Sequence, residues 1–324
     1  MTHILGHAAP ITTLLSAARS ERMHHAWLFT GAQGLGKASV AKAVAARILA
    51  ESSATPPHNE ALEIDPDHPT ARLIDAQAHS DFIWLERLMN EKTDKRARNI
   101  SVDQVRAMRQ KFAFSPSHSA RRIVVIDAVD DMEKGAANAL LKSLEEPPAS
   151  TIFFLISHAP GRLLPTIRSR CRVLRFAQLD DATMTNVLRA HIPEADSHEI
   201  AALVQASEGA PGKALTLAGL DIAGLDAALS QIARTGDPTN QHRSALASQL
   251  ALKAALPRYE AFLKHAPSFI ATQARTRNGA PLNAALDAYA KATQLAATAP
   301  IHNVDPQNAV FEMCGHIAGL APKG

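Results

Sequence analysis

Three glycines, Gly31, Gly34 and Gly36, lead into Lys37 in the run TGAQGLGKAS. Glycines at this spacing let backbone N–H groups close around an anion, and a helix that follows adds the positive end of its dipole. A lysine directly after them reaches the β- and γ-phosphates of a nucleotide, so the run reads as a P-loop. One part is missing. The residue after the lysine normally offers a hydroxyl to Mg²⁺, and here it is Ala38. Ser39 follows, but one step along a helix turns a side chain by about 100°, which makes it a poor substitute. ATP or ADP is therefore expected to bind weakly at best, without well-placed magnesium. Two further polar residues close apolar runs: Asp127 after Ile123–Ile126, and Ser157 at the end of TIFFLIS. They are candidate ligands at one sheet edge. The triplet Ser169-Arg170-Cys171 supplies a cation, although spacing alone does not choose between Arg170 and its neighbour Arg168. Cys171, flanked only by arginines, is expected to be a buried small hydrophobe rather than a reactive thiol.

The elements that must position these groups alternate between strand and helix. Short runs rich in β-branched and aromatic residues predict strands at 26–29, 81–85, 123–127, 151–157 and 172–176, the central ones covered on both faces. Between them, helical spacing predicts helices at 11–21, after Lys37 with Val40, Val44, Ile48 and Leu49 inward, and near 71–77. A further one follows Ser101, where an S-x-x-Q capping box has Val102, Val105 and Phe112 as its apolar positions. Another spans KGAANALLKSLEEPP, with Ala137, Leu140, Leu141 and Leu144 on one face and Pro147-Pro148 as its stop. This is the grammar of a parallel α/β nucleotide-binding sheet. From Gln178 onward the pattern is helical. The turn-rich stretch 235–241 is the best boundary, and the Ala- and Leu-rich remainder reads as a bundle interrupted at Pro257, Pro267, Pro281 and Pro300. The fold class is α/β plus all-α, with domains at 1–176, 177–234 and 235–324.

Composition bounds the function classes. The 324 residues are 46% hydrophobic and 20% charged, values of a globular chain rather than a disordered one. A net charge of +3 neither requires nor opposes a nucleic-acid partner. No apolar run approaches the ~18 residues of a membrane span. With only Cys171 and Cys314 present, a disulfide framework is excluded and a reducing, cytoplasmic home is expected. His58, His68 and His79 lack a nearby cysteine and metal-ligand spacing, so no metal site is expected there. The basic run Lys92, Lys95, Arg96 and Arg98 reads as a solvated loop or, alternatively, a phosphate contact.

HAWLFTGAQGLGK, ISVDQVR, ANALLKSLEEPP, FFLIS and RSRC, in this order, resemble the clamp-loader branch of the AAA+ ATPases. The resemblance covers about residues 5–220; the C-terminal bundle fits the family's collar domain by length and helicity only. It implies an AAA+ P-loop domain, a small helical lid and an oligomerising collar. It also implies partners: motor subunits of the γ/τ type and a δ subunit in a hetero-oligomeric ring, a sliding clamp, and primed DNA reached through the complex. Lys37 falls on the family's P-loop lysine, Asp127 on the Walker B aspartate and Ser157 on sensor 1. Arg170 falls on the arginine that, in such rings, enters the neighbouring subunit's ATP site as an arginine finger. The bland alternative is a surface arginine paired within its own domain.

Departures from the family pattern select among its subunits. The glutamate that prepares water for attack is replaced by Ala128, whose methyl cannot accept a proton. The sensor 2 arginine of the lid is missing, with Gly212 in its place and Lys213 one position off. One positioned arginine is worth about 10³–10⁵ in rate, so a site lacking several parts should be nearly silent. The resemblance then implies a stator rather than a motor, with no polymerase chemistry of its own. An active motor is the alternative, favoured by Lys37, Asp127 and Ser157; a small-molecule P-loop kinase lacks an acceptor motif. The family's zinc-binding cysteines are absent, so no zinc is expected.

Overall fold

The computed structural model describes residues 4–20, 23–90 and 95–322. Contacts divide the chain into two compact units, Met1–Thr183 with Ala210–Gly212, and Met184–Gly209 with Lys213–Gly324.

The first unit holds helices α1 (Ala8–Arg19), α2 (Lys37–Glu51), α3 (Pro69–Asp75), α4 (Val102–Gln110), α5 (Lys134–Glu145) and α6 (Pro165–Arg168). Its strands are β1 (Ala26–Thr30), β2 (Phe82–Glu86), the two-residue β3 (Met89–Asn90) and β4 (Lys95–Arg96), then β5 (Arg122–Asp127), β6 (Thr151–Ser157) and β7 (Arg172–Arg175). Five strands form one sheet in the order β2-β5-β6-β1-β7, and every pair in it is parallel. Alternate residues of the central strands serve opposite faces, as a period of two requires. Trp27, Phe29, Val125, Phe154 and Ile156 pack with Leu14 of α1 and Val40, Val44 and Ile48 of α2. Leu28, Val124, Ile126, Phe153 and Leu155 pack with Val105 of α4, Leu140 and Leu144 of α5 and Ile167 of α6. Each such side chain contributes about 1.5–3 kcal/mol by leaving water, which is why these strands read as unbroken apolar runs.

Local expectations shift in identifiable ways. Helix α1 starts at Ala8 rather than Ile11 because Pro10 lies in the first turn, where a missing N–H costs no helical bond. The capping box of α4 forms, with Ser101 Oγ accepting from the Gln104 N–H. The helix stops at Gln110, however, so its buried residues are Val105 and Met108. Phe112 follows in a 3₁₀ turn and meets Phe153 edge-on at 6.1 Å. In α5 the buried positions are Ala136, Leu140, Ser143 and Leu144, and the expected Ala137 and Leu141 pack against the same core while partly exposed.

The second unit is helical. It contains most of α7 (Asp181–His191) and α9 (Pro211–Leu217), with α8 (Ser197–Ser207), α10 (Ile222–Thr235), α11 (Gln241–Leu250), α12 (Leu256–Arg275), α13 (Gly279–Thr298) and α14 (Pro306–Ala318). The stretch 235–241 lies inside this unit, tied down by Asp237, whose carboxylate accepts the N–H groups of His242 and Arg243. Pro267 does not interrupt the bundle as expected: it sits within α12. A proline there costs about 3 kcal/mol. Phe262, Leu263, Ala266, Phe269 and Ile270 are buried around it, and their burial outweighs that cost. Among the described residues, no single helix is long and apolar enough to cross a membrane.

Candidate functional site

The P-loop joins β1 to α2, and its glycines have distinct reasons. A Cβ on Gly31 would stand 2.5 Å from the Phe176 carbonyl oxygen and 2.9 Å from Leu35 Cδ1, so no side chain fits. Gly36 has open space but caps α2 at φ 82°, a left-handed conformation that glycine adopts at little cost. The loop's carbonyls are engaged by the protein itself. Lys37, 2% exposed, donates from Nζ to the carbonyls of Gly31 at 2.7 Å and Ala32 at 2.6 Å. Gly212 donates its N–H to Gly34 O at 2.8 Å, and His7 donates from Nε2 to Leu35 O at 2.7 Å.

Charge at this edge is set by burial. Desolvation pulls the Lys37 ammonium down to about 8, against the pull of Asp127 and Asp130. Burial pushes the Asp127 carboxyl above its ordinary value, opposed by His158. His158 is itself lowered by burial and then by Lys37. The three groups share one field at the C-terminal ends of the strands.

Ser157 ends β6 beside β1, in register with Thr30. Its hydroxyl donates to Asp130 Oδ1 at 2.8 Å, and the next backbone N–H, of His158, donates to Asp130 Oδ2 at 2.5 Å. Asp130 thus clasps the end of the strand. Sequence reasoning missed Asp130 and His158; the acidic run Asp130-Asp131 after Asp127 was the available signal.

Arg170 lies elsewhere. Trp27 near the start of β1 is in register with Arg172 at the start of β7, so Arg170 sits at the sheet edge where β1 begins. The P-loop sits where β1 ends, about 15 Å away by the rise of a five-residue strand. Arg170 Nη2 pairs with Glu145 Oε1 at 2.8 Å, and Nη1 donates to Thr166 O at 2.9 Å. The pairing within its own domain, weighed above as an alternative, is therefore present. Arg168 is exposed. Burial pushes the Cys171 thiol up to about 12, which leaves it protonated and unreactive at neutral pH.

The structure thus brings Gly31, Gly34, Gly36, Lys37, Asp127 and Ser157 to one edge and places Arg170 at the other. His68 engages Thr70 N–H and Thr55 O, and His79 accepts from Asp81 N–H. Among the described residues no three His, Cys, Asp or Glu side chains gather as a metal site. Of the basic run, Lys92 lies outside the described residues, Arg96 pairs with Glu86 at 3.2 Å, and Arg98 is exposed.

A family model and several relatives of similar sequence carry DNA polymerase III descriptions. A family model described as DNA polymerase III, delta subunit matches residues 6–180. The Pseudomonas aeruginosa DNA polymerase III subunit delta prime is 34% identical over 195 residues, 60% of this chain and 56% of that protein. The Escherichia coli delta prime subunit is 31% identical over 205 residues, 63% of this chain and 57% of that one. The Bacillus subtilis subunit tau is 30% identical over 219 residues, 66% of this chain and 36% of its own. The match therefore spans about half the length of these delta prime relatives, and less of tau. Among solved structures, a gamma subunit-related protein of Thermotoga maritima aligns with 15% identity and a TM-score of 0.45, covering 95% of this chain and 99% of its own.

Proposed function

Because the chain belongs to the family of the DNA polymerase III delta subunit, we propose that it is the delta prime, or stator, subunit of a clamp loader. In this reading it joins γ/τ motor subunits and a δ subunit in a ring that places a sliding clamp on primed DNA. The observation that carries it is the position of Arg170. A guanidinium at the opposite sheet edge from Lys37 and Asp127 cannot serve its own P-loop, so any phosphate it meets is one held by another chain, reached in exchange for its pairing with Glu145. Charge placed against a transferring phosphoryl group is the largest contribution a protein makes to such chemistry.

The chain's own P-loop supports the same reading. Ala38 offers no oxygen to magnesium, and Ala128 is a buried methyl next to Asp127. Lys37 must exchange two backbone carbonyls before it can meet a phosphate. ATP or ADP binding at this loop is accordingly weak and non-productive, and turnover belongs to the motor subunits.

The test is DNA-dependent ATP turnover of the assembled loader, containing either the wild-type chain or Arg170→Ala. Assembly should persist while turnover falls. An unchanged rate would remove Arg170 from the mechanism. A second reading, a motor of the γ/τ type, is favoured by the intact glycine–lysine spacing and the similarity to subunit tau. It requires turnover by the isolated chain that Lys37→Ala abolishes.

A further inference from the structure

The partner of Arg170 is informative in itself. Glu145 is the last residue of α5 and Glu146 is its C-cap, so two carboxylates stand at the negative end of that helix, where anions are disfavoured. Nothing in the helix calls for an acid there. Lys142 is the one basic residue of that last turn, and Arg170 brings a second cation from outside the helix: Nη2 takes Glu145 while Nη1 is fixed by the Thr166 carbonyl and lies 3.5 Å from Ser169 Oγ. One side of the guanidinium is thus anchored to its own backbone, and the other is offered to a carboxylate. The two side chains are 34% and 48% exposed, and ion pairs this exposed contribute little. A phosphate carries more charge and matches the planar fork with two parallel bonds, so it would win the guanidinium from Glu145.

Glu145 also has somewhere to go. With Arg109, Lys142 and Glu146 it lines a polar groove of about 430 Å³. The cations of that groove are at hand when Arg170 leaves.

We propose that Glu145 is a placeholder on Arg170: it orients the guanidinium in the free subunit and is exchanged for a phosphate oxygen when a neighbouring nucleotide site docks. This rests on reading Arg170 as an arginine finger. Glu145 is a positioning residue that competes with the phosphate, so its removal should ease engagement.

The experiment uses the assembled loader with primed DNA, measuring kcat and KM for ATP with Glu145→Gln, Arg170→Ala and the double variant. Glu145→Ala serves as a second removal of the charge, and thermal unfolding checks each fold. The expected result is a KM about two- to fivefold lower in Glu145→Gln, the worth of an exposed ion pair, and no such change when Arg170 is already absent. If Glu145→Gln and Glu145→Ala leave KM unchanged while Arg170→Ala still lowers turnover, the placeholder is wrong and the finger stands. If they instead lower kcat as Arg170→Ala does, Glu145 is needed during turnover and the exchange is overturned. If Arg170→Ala changes nothing, the finger itself fails, and the placeholder goes with it.

Discussion

Gly212, expected from the resemblance to stand in place of a sensor 2 arginine, donates its backbone N–H to the carbonyl of Gly34 at 2.8 Å and so touches the P-loop through its main chain. A Cβ there would lie 3.0 Å from Gly34 Cα and 3.1 Å from Gly34 O. The obstacle is backbone, which cannot swing aside as a side chain tip can. Restoring the arginine should therefore fail: Gly212→Arg is expected to cost about 1–3 kcal/mol of stability, as overpacking does. It should also confer no ATP turnover on the isolated chain. Thermal unfolding and a steady-state assay check both. Turnover without loss of stability would show that the loop yields.

The buried ammonium of Lys37 makes stability depend on alkaline pH. Its value in the folded chain is lowered to about 8 from 10.5 by desolvation, with Asp127 and Asp130 opposing. Between those values the unfolded chain holds a proton that the folded chain has released, so this group adds stability as pH rises. Lys37→Met should lack the gain. Urea unfolding at pH 7.5 and 9.5 would show the wild-type stability rising relative to the variant; parallel changes would place a charged lysine in the folded state at both.

Asp81 works in the opposite sense at acid pH. Burial alone would raise its carboxyl, but the N–H groups of His118 at 2.7 Å, Ser117 at 3.0 Å and Ser119 at 3.1 Å outweigh it. The net value is lowered. Stability from this group is complete above the ordinary carboxylate value near 4 and is lost as pH falls from there through the lower folded value. Asp81→Ala is expected to cost about 1–3 kcal/mol at pH 7, the desolvation of unpaired donors. The gap from wild type should narrow towards pH 3. A gap independent of pH would mean that packing, not the carboxylate, is responsible.

Ser157 and Asp130 form one unit at the end of β6. Ser157→Ala should cost about 1 kcal/mol and Asp130→Ala more, since it also strands the His158 N–H. The double variant should fall short of their sum by at least about 0.5 kcal/mol. Additive losses would mean that the hydroxyl gains nothing from the carboxylate in solution.

Much of this was legible in sequence because it is local. The continuous apolar runs of β5 and β6 could only be strands covered on both faces. The Ser101–Gln104 capping box fixed the start of α4, and the glycines before Lys37 marked the loop between strand and helix. The missing oxygens at Ala38 and Ala128 follow from residue identity alone. Helix faces were legible less finely: in α5 Ala136 and Ser143 are buried beyond the expected stripe while Ala137 and Leu141 are only partly buried, because the neighbouring elements set the depth of each position. Pro267 shows the same limit: a local rule worth about 3 kcal/mol gives way to burial that only the packed helices provide.

The sequence by itself determined the elements, the loop and the methyl groups of Ala38 and Ala128 beside it. Tertiary structure alone decided which polar groups meet. It gave Ser157 to Asp130 rather than Asp127, laid Gly212 on Gly34, and paired Arg170 with Glu145 at the edge remote from Lys37. The physical reason is that backbone conformation and burial are governed by neighbours in the chain, whereas a half-exposed charge takes the partner that strand order and helix ends bring within 3 Å. Sequence spacing does not encode that distance.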